Sequence, residues 1–168
     1  MPLYKFEEIN KNKMAFYQFK AKQIIPSNID QVWNYISSPN NLKEITPEYM
    51  GFEVTSEDLP EKMYPGMIIS YRVSPFWGIK LKWVTEITYV KEKEYFIDEQ
   101  RIGPYAMWHH QHKIEKINDG VLMSDIVSYQ PPLKFLGAIA NSLIIEKQLN
   151  EIFDFRKKTL EKVFGKIG

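Results

Sequence analysis

His110 and His112 stand two residues apart in a run of alternating character, Ala106 to Ile117, which also holds the chain's third histidine, His109. Residues spaced by two project to the same side of a strand, so Trp108, His110, His112 and Ile114 share one face. His109, Gln111, Lys113 and Glu115 share the other, and because that set is wholly polar the first set is expected to point inward. Asp119-Gly120 is a two-residue hairpin signal, and a turn there pairs His112 with Val127 and His110 with Tyr129. Asp125, Val127 and Tyr129 then join the inward face, with Asp125 diagonal to His112 and within hydrogen-bonding reach. A one-residue slip of the turn would dissolve the group. His110, His112, Asp125 and Tyr129 could orient a ligand's carbonyl, hydroxyl or carboxylate. A histidine held by a carboxylate could also act as a general base, which makes His110, His112 and Asp125 the catalytic candidates. Equally, the four groups can satisfy one another and stiffen the sheet. Two adjacent histidines can ligate zinc, with Asp125 as the neat third ligand, but no strong metal-ligand spacing accompanies them, so neither a metal nor a cofactor is expected.

Arg156 is the second chemical feature. It falls on the apolar stripe formed by Leu149, Ile152, Phe153, Leu160 and Val163, and an inward arginine must be paired. Asp98, Asp125 or a ligand carboxylate would serve; a side chain reaching back to solvent is the alternative. Gln100 shares a strand face with Phe96 and Asp98. Tyr71, Trp83, Tyr89 and Trp108 also occupy inward positions, as core or as the lining of a pocket for a flat or lipid-like molecule. The residues expected to line a ligand site are thus Tyr71, Trp83, Gln100, Trp108, His110, His112, Asp125, Tyr129 and Arg156.

The elements that must position these groups are legible along the chain. Phe16 to Ile25 reads as a strand closed by Pro26, and Ser27 or Asn28 caps a short helix, Ile29 to Ser37. A second short turn, Asn40 to Thr46, precedes Pro47. Strands follow at Phe52 to Ser56, Met67 to Val73, Ile79 to Tyr89, Tyr95 to Ile102, Ala106 to Ile117 and Val121 to Tyr129. After Pro131-Pro132 the pattern is helical to about Phe164. The order predicts an α+β fold, a curved antiparallel sheet wrapped around a long C-terminal helix, with two short helices after the first strand. Residues 14–168 form the expected single domain, and residues 1–13 an N-terminal extension with no apolar run to act as a signal peptide. Leu136, Ile139 and Leu143 lie off the main helical stripe. They imply a break between Gly137 and Ser142 that frees a lid, an apolar patch for a homodimer or a membrane surface, or packing against the loop Ser74 to Gly78; the last is preferred.

Composition excludes several classes. A net charge of +1 gives no footprint for nucleic acid. The absence of cysteine removes disulfides, thiolate metal sites and cysteine nucleophiles, and is compatible with a cytoplasmic location. The longest apolar stretch, Phe135 to Ile145, is too short for a transmembrane segment. No phosphate loop, dinucleotide fingerprint or nucleophile motif is present.

Local motifs add a resemblance. Asn41-Leu42 with Ile45-Thr46-Pro47 and Gly51-Phe52; Gly78-Ile79 with Leu81-Lys82-Trp83; Asp98-Glu99-Gln100 with Gly103-Pro104-Tyr105, Trp108, His110 and His112; Asp125 to Tyr129 with Pro131-Pro132; and Ile152-Phe153 with Arg156 are the segments concerned. From Met14 to Phe164 the chain resembles the SRPBCC superfamily, also called START-like, Bet v 1-like or polyketide cyclase/dehydrase-like, in its bacterial ligand-binding branch. The resemblance implies the helix-grip fold. It implies binding of a hydrophobic or amphipathic small molecule between sheet and helix; a cyclase/dehydratase-type enzyme with a His/Asp acid–base pair, or an interaction protein with a vestigial pocket, are the alternatives. One fold carries all three, so the site must decide.

Overall fold

In the computed structural model, residues 4–8, 16–76, 78–131 and 138–166 are described, with side chains over 16–74, 78–131 and 143–166. The elements run β1 (Tyr4–Glu8), β2 (Tyr17–Ile25), α1 (Ile29–Ile36), two 3-10 turns (Pro39–Asn41 and Glu48–Met50), β3 (Glu53–Val54), β4 (Met67–Phe76), β5 (Ile79–Lys91), β6 (Tyr95–Ile102), β7 (Met107–Ile117), β8 (Gly120–Gln130) and α2 (Ala138–Phe164). Among the described residues the strands form one eight-stranded sheet in the order β1-β2-β8-β7-β6-β5-β4-β3, antiparallel throughout. The stretch set apart by sequence as an extension supplies β1, which pairs Phe6 with Phe19 at the sheet's edge.

Local chemistry accounts for the elements. Asn28 Oδ1 accepts from the Gln31 amide at 2.9 Å and starts α1, whose Val32, Trp33 and Ile36 are buried. The β7–β8 hairpin turns on Asn118 and Asp119 rather than on Asp119-Gly120, because Gly120 already pairs with Ile117. Gly120 has φ of 133°, and a Cβ there would meet the Ile25 carbonyl oxygen, so only glycine fits. The register consequently differs by two residues from the expected one, with His112 opposite Asp125, His110 opposite Val127 and Trp108 opposite Tyr129. A shift of two preserves every side chain's face, so the inward set stands.

Two apolar clusters fill the space between sheet and helices. One gathers Ile25, Val32, Trp33, Ile36, Ile87, Phe96, Ile114, Met123 and Leu160; the other gathers Phe19, Val73, Trp83, Tyr105, Val127, Tyr129, Leu149 and Phe153. Full burial of side chains such as Phe19 or Ile87 stabilises by about 1.5–3 kcal/mol each. Along β8, Asp125 lies between Met123 of the first cluster and Val127 of the second; along α2, Arg156 lies between Leu160 and Phe153. The polar residues thus form a layer between two apolar ones.

Three local expectations are corrected. Tyr89 is 46% exposed and stacks on Tyr95 at 5.2 Å, because the β5–β6 register shifts between Ile87 and Tyr89 and turns it outward. Val163 at 47% exposure falls off the buried stripe of α2, while Ile145 joins it fully buried. α2 is uninterrupted from Ala138, so no break lies between there and Ser142. Leu136, Gly137 and Trp77, and the side chain of Ile139, are outside the described residues; Leu143 and Ile144 are 62% and 47% exposed. No helix among the described residues is long and apolar enough to cross a membrane.

Candidate functional site

Four elements converge on one polar group. β6 brings Asp98, β7 brings His110 and His112, β8 brings Asp125 and α2 brings Arg156. The antiparallel registers set Asp98 opposite His110 and His112 opposite Asp125, so both histidines sit between two carboxylates. Asp125 Oδ1 accepts from His110 Nε2 at 3.0 Å and from Arg156 Nη1 at 3.1 Å, and lies 3.0 Å from His112 Nδ1. Asp98 Oδ2 lies 2.6 Å from His112 Nε2 and 3.5 Å from His110 Nδ1. The two imidazoles are tilted by 39° with ring centroids 3.7 Å apart, and Phe96 stacks on His112 at 4.1 Å.

The charges follow from these contacts. Burial opposes ionisation of Asp125, but Arg156 and the two histidines outweigh it and hold the carboxyl below its ordinary range. Asp98 is likewise held low against burial, chiefly by its bond from His112. Burial alone would strip the proton from His112; its bonds to Asp125 and Asp98 prevail and raise its pKa. Arg156 Nη2 also approaches His112 Nδ1 to 3.3 Å, but with carboxylates at both ring nitrogens the proton belongs on Nδ1, and that contact is a close approach of cations rather than a hydrogen bond. Burial first, and the charge on His112 second, depress His110 to about 4, so at neutral pH it is uncharged. Two carboxylates, one imidazolium and one guanidinium then sum to zero. Such a set tolerates burial in a way an isolated charge does not.

This layer forms one side of a cavity of ≈ 180 Å³. Asp98, His110, His112 and Arg156 reach it; Phe96, Trp108, Phe153 and Leu149 close around them, and Met50, Val73, Trp83 and Tyr71 form the far wall. There a second, smaller polar feature stands: Trp83 Nε1 donates to Thr85 Oγ1 at 3.0 Å, and the Tyr71 and Thr85 hydroxyls lie 2.8 Å apart. The aromatic wall is continuous, with Trp83 edge-on to Trp108 at 5.4 Å and Tyr105 against Trp108 at 4.8 Å.

Of the residues named from sequence, Tyr71, Trp83, Trp108, His110, His112 and Arg156 line the cavity. Asp125 stands behind the histidines, holding their far nitrogens. Gln100 turns to its own loop, donating from Nε2 to the Tyr105 carbonyl at 2.7 Å and accepting from the Tyr105 amide at 3.1 Å, and so seats Tyr105 against Trp83. Tyr129 packs in the core on Tyr17, its hydroxyl without a partner among the described residues. Sequence reasoning put Asp98 on the strand face of Phe96 and Gln100 and named it as a partner for Arg156, but did not place it among the histidines. It also missed Thr85 and Phe96. Asp98 sits two residues before Gln100 on an alternating strand, but nothing in the loop Gly103 to Ala106 declares the β6–β7 register.

Compared by sequence, the chain matches no protein-family model and no curated protein. Solved structures do match. A protein from Arthrobacter aurescens superposes with a TM-score of 0.65 at 14% identity, covering 86% of both chains. Protein CV1439 from Chromobacterium violaceum gives 0.64 at 14%, covering 89% of this chain and 99% of that one. Ara h 8.0201 gives 0.58 at 11%, covering 88% and 99%. Likeness at such identity speaks to architecture, and with the sheet order and the long C-terminal helix it shows that the chain shares the helix-grip fold of these structures.

Proposed function

We propose that the protein binds a small, mostly apolar molecule in this cavity, with the molecule's polar end against the Asp98–His110–His112–Arg156 layer. The observation that carries the reading is the ≈ 180 Å³ space itself, walled by aromatic and aliphatic side chains and polar at one side. A cavity of about 150 Å³ accommodates benzene, so the volume suits one substituted aromatic ring or a short acyl chain. The polar layer is already charge-balanced and hydrogen-bonded, which favours holding and orienting an occupant over reacting with it.

The test is native mass spectrometry of the purified protein, followed by titration with p-cresol and with toluene under thermal-shift and NMR detection. Saturable binding of either probe supports the reading. Val73→Phe should abolish it, because the new ring occupies the cavity and removes no polar group. Binding untouched by Val73→Phe, or no binding by either probe and no co-purifying molecule, refutes it.

A further inference from the structure

Asp125 approaches both imidazoles from behind: its Oδ1 lies 3.0 Å from His110 Nε2 and 3.0 Å from His112 Nδ1. The other nitrogen of each ring, His110 Nδ1 and His112 Nε2, is thereby turned toward Asp98 Oδ2, at 3.5 and 2.6 Å. One donor atom from each of Asp98, His110 and His112 lies within 4.8 Å of the others, on the cavity side of the layer. Two buried imidazoles and a nearly buried carboxylate thus converge from two adjacent strands on one point, the arrangement of donors that holds a cation.

We propose that Asp98 Oδ2, His110 Nδ1 and His112 Nε2 form a site for a divalent first-row transition ion such as zinc, with Asp125 as the outer carboxylate that fixes both rings. Two neutral imidazoles and one carboxylate are a common donor set for such ions. Ligand bonds of about 2.0–2.2 Å in tetrahedral geometry place neighbouring donors roughly 3.3–3.5 Å apart. The His110–Asp98 separation of 3.5 Å already fits, and the 2.6 Å His112–Asp98 separation must widen by about 0.8 Å to fit. The ion takes the place of the His112 Nε2 proton, which leaves to solvent. A carboxylate on the far nitrogen of a metal-bound histidine is the usual outer support, and here one carboxylate serves two rings. Arg156 Nη1 donates to Asp125 at 3.1 Å, which offsets the outer carboxylate's charge. With the ion bound, the layer carries one net positive charge, and the cavity beside it is lined by Phe96, Trp108 and Phe153. An anionic oxygen on an apolar molecule, such as a phenolate or a carboxylate, is the chemistry that would complete the coordination.

The experiment uses the full chain stripped with EDTA and titrated with Zn²⁺, followed by calorimetry and by imidazole ¹⁵N NMR, with Co²⁺ as a spectroscopic substitute. One ion per chain is expected, with the coordination shift at Nδ1 of His110 and Nε2 of His112, and visible Co²⁺ bands of low symmetry. His109, on the opposite face, keeps its resonances, and His109→Gln binds as wild type does. Asp125→Asn should weaken Zn²⁺ about 10–100-fold, and Asp98→Asn by more. Absence of stoichiometric binding to wild type, a shift at His109 in place of the other two, or unchanged affinity in Asp98→Asn would overturn the proposal. Should Asp98→Asn not fold, the assignment of ligating nitrogens in wild type decides alone.

Discussion

Asp125→Asn replaces one carboxylate oxygen with an amide and leaves the side chain's shape intact, so its effect isolates charge. In the metal-free protein, Asp125 Oδ1 receives Arg156 at 3.1 Å and two imidazoles at 3.0 Å, and Arg156 is only 6% exposed. The substitution leaves the guanidinium buried without its counter-charge, for which the expected loss is about 3–5 kcal/mol. In a domain of this size that corresponds to a fall in Tm of roughly 6–20 °C. Arg156→Met should cost less, since Asp125 keeps both histidines and methionine fills the guanidinium's channel. The double variant should be less destabilised than the sum of the singles by about 2 kcal/mol or more, because removing both partners leaves neither charge stranded. Urea denaturation followed by tryptophan fluorescence, in EDTA at pH 7, measures all four proteins. A loss below about 1 kcal/mol for Asp125→Asn, or additivity within about 0.5 kcal/mol, would refute the view of the polar layer as an interdependent unit.

Further outcomes follow from the same geometry. The pH dependence of the metal-free protein should have a maximum near the ordinary histidine value of about 6.5. His112, raised in the folded state, contributes stability below that value that is lost as pH rises through its folded pKa. His110, depressed to about 4, contributes stability above about 6.5 that is lost as pH falls, amounting to about 3 kcal/mol by pH 4. Asp125 adds a steeper loss below about pH 4, and His110→Gln should flatten the limb between 6.5 and 4 in a chemical-denaturation series. Tyr129→Phe removes a fully buried hydroxyl that has no partner among the described residues, and should raise stability by up to about 1 kcal/mol; a loss above about 1 kcal/mol would show that the hydroxyl is bonded. Gly120→Ala forces a side chain into left-handed backbone against the Ile25 carbonyl and should cost about 2 kcal/mol or more by denaturant titration; a neutral result would place the turn differently.

What could be read in advance divides along a physical line. Faces are local properties: the alternation around His110 and His112 put both inward without knowledge of any neighbour, and the Tyr95–Ile102 strand was bounded by its own turn residues. Registers are not local. Asp119-Gly120 looks like a turn centre, yet the backbone places Gly120 at the first pair of β8, because its approach to Ile25 demands a residue without a Cβ. That two-residue displacement kept the histidines and Asp125 together and brought Asp125 directly opposite His112. Asp98 could be found only from the β6–β7 pairing, which no turn motif announces. Tyr89 was lost to a bulge, which reverses alternation without a mark in composition. The cavity itself is a property of packing, and periodicity carries no information about volume.

The Arg156–Asp125 pair has a consequence for how α2 sits. A helix held in a trough by leucines and phenylalanines alone can slide by a turn at modest cost, since one apolar side chain replaces another. Sliding α2 by one turn, about 5.4 Å, would carry the guanidinium away from Asp125, whose neighbours on the same face of β8 are the apolar Met123 and Val127. The neighbouring resting positions are therefore closed to the helix, and the cavity roof formed by Leu149 and Phe153 keeps one alignment over the sheet whether or not a molecule lies beneath it.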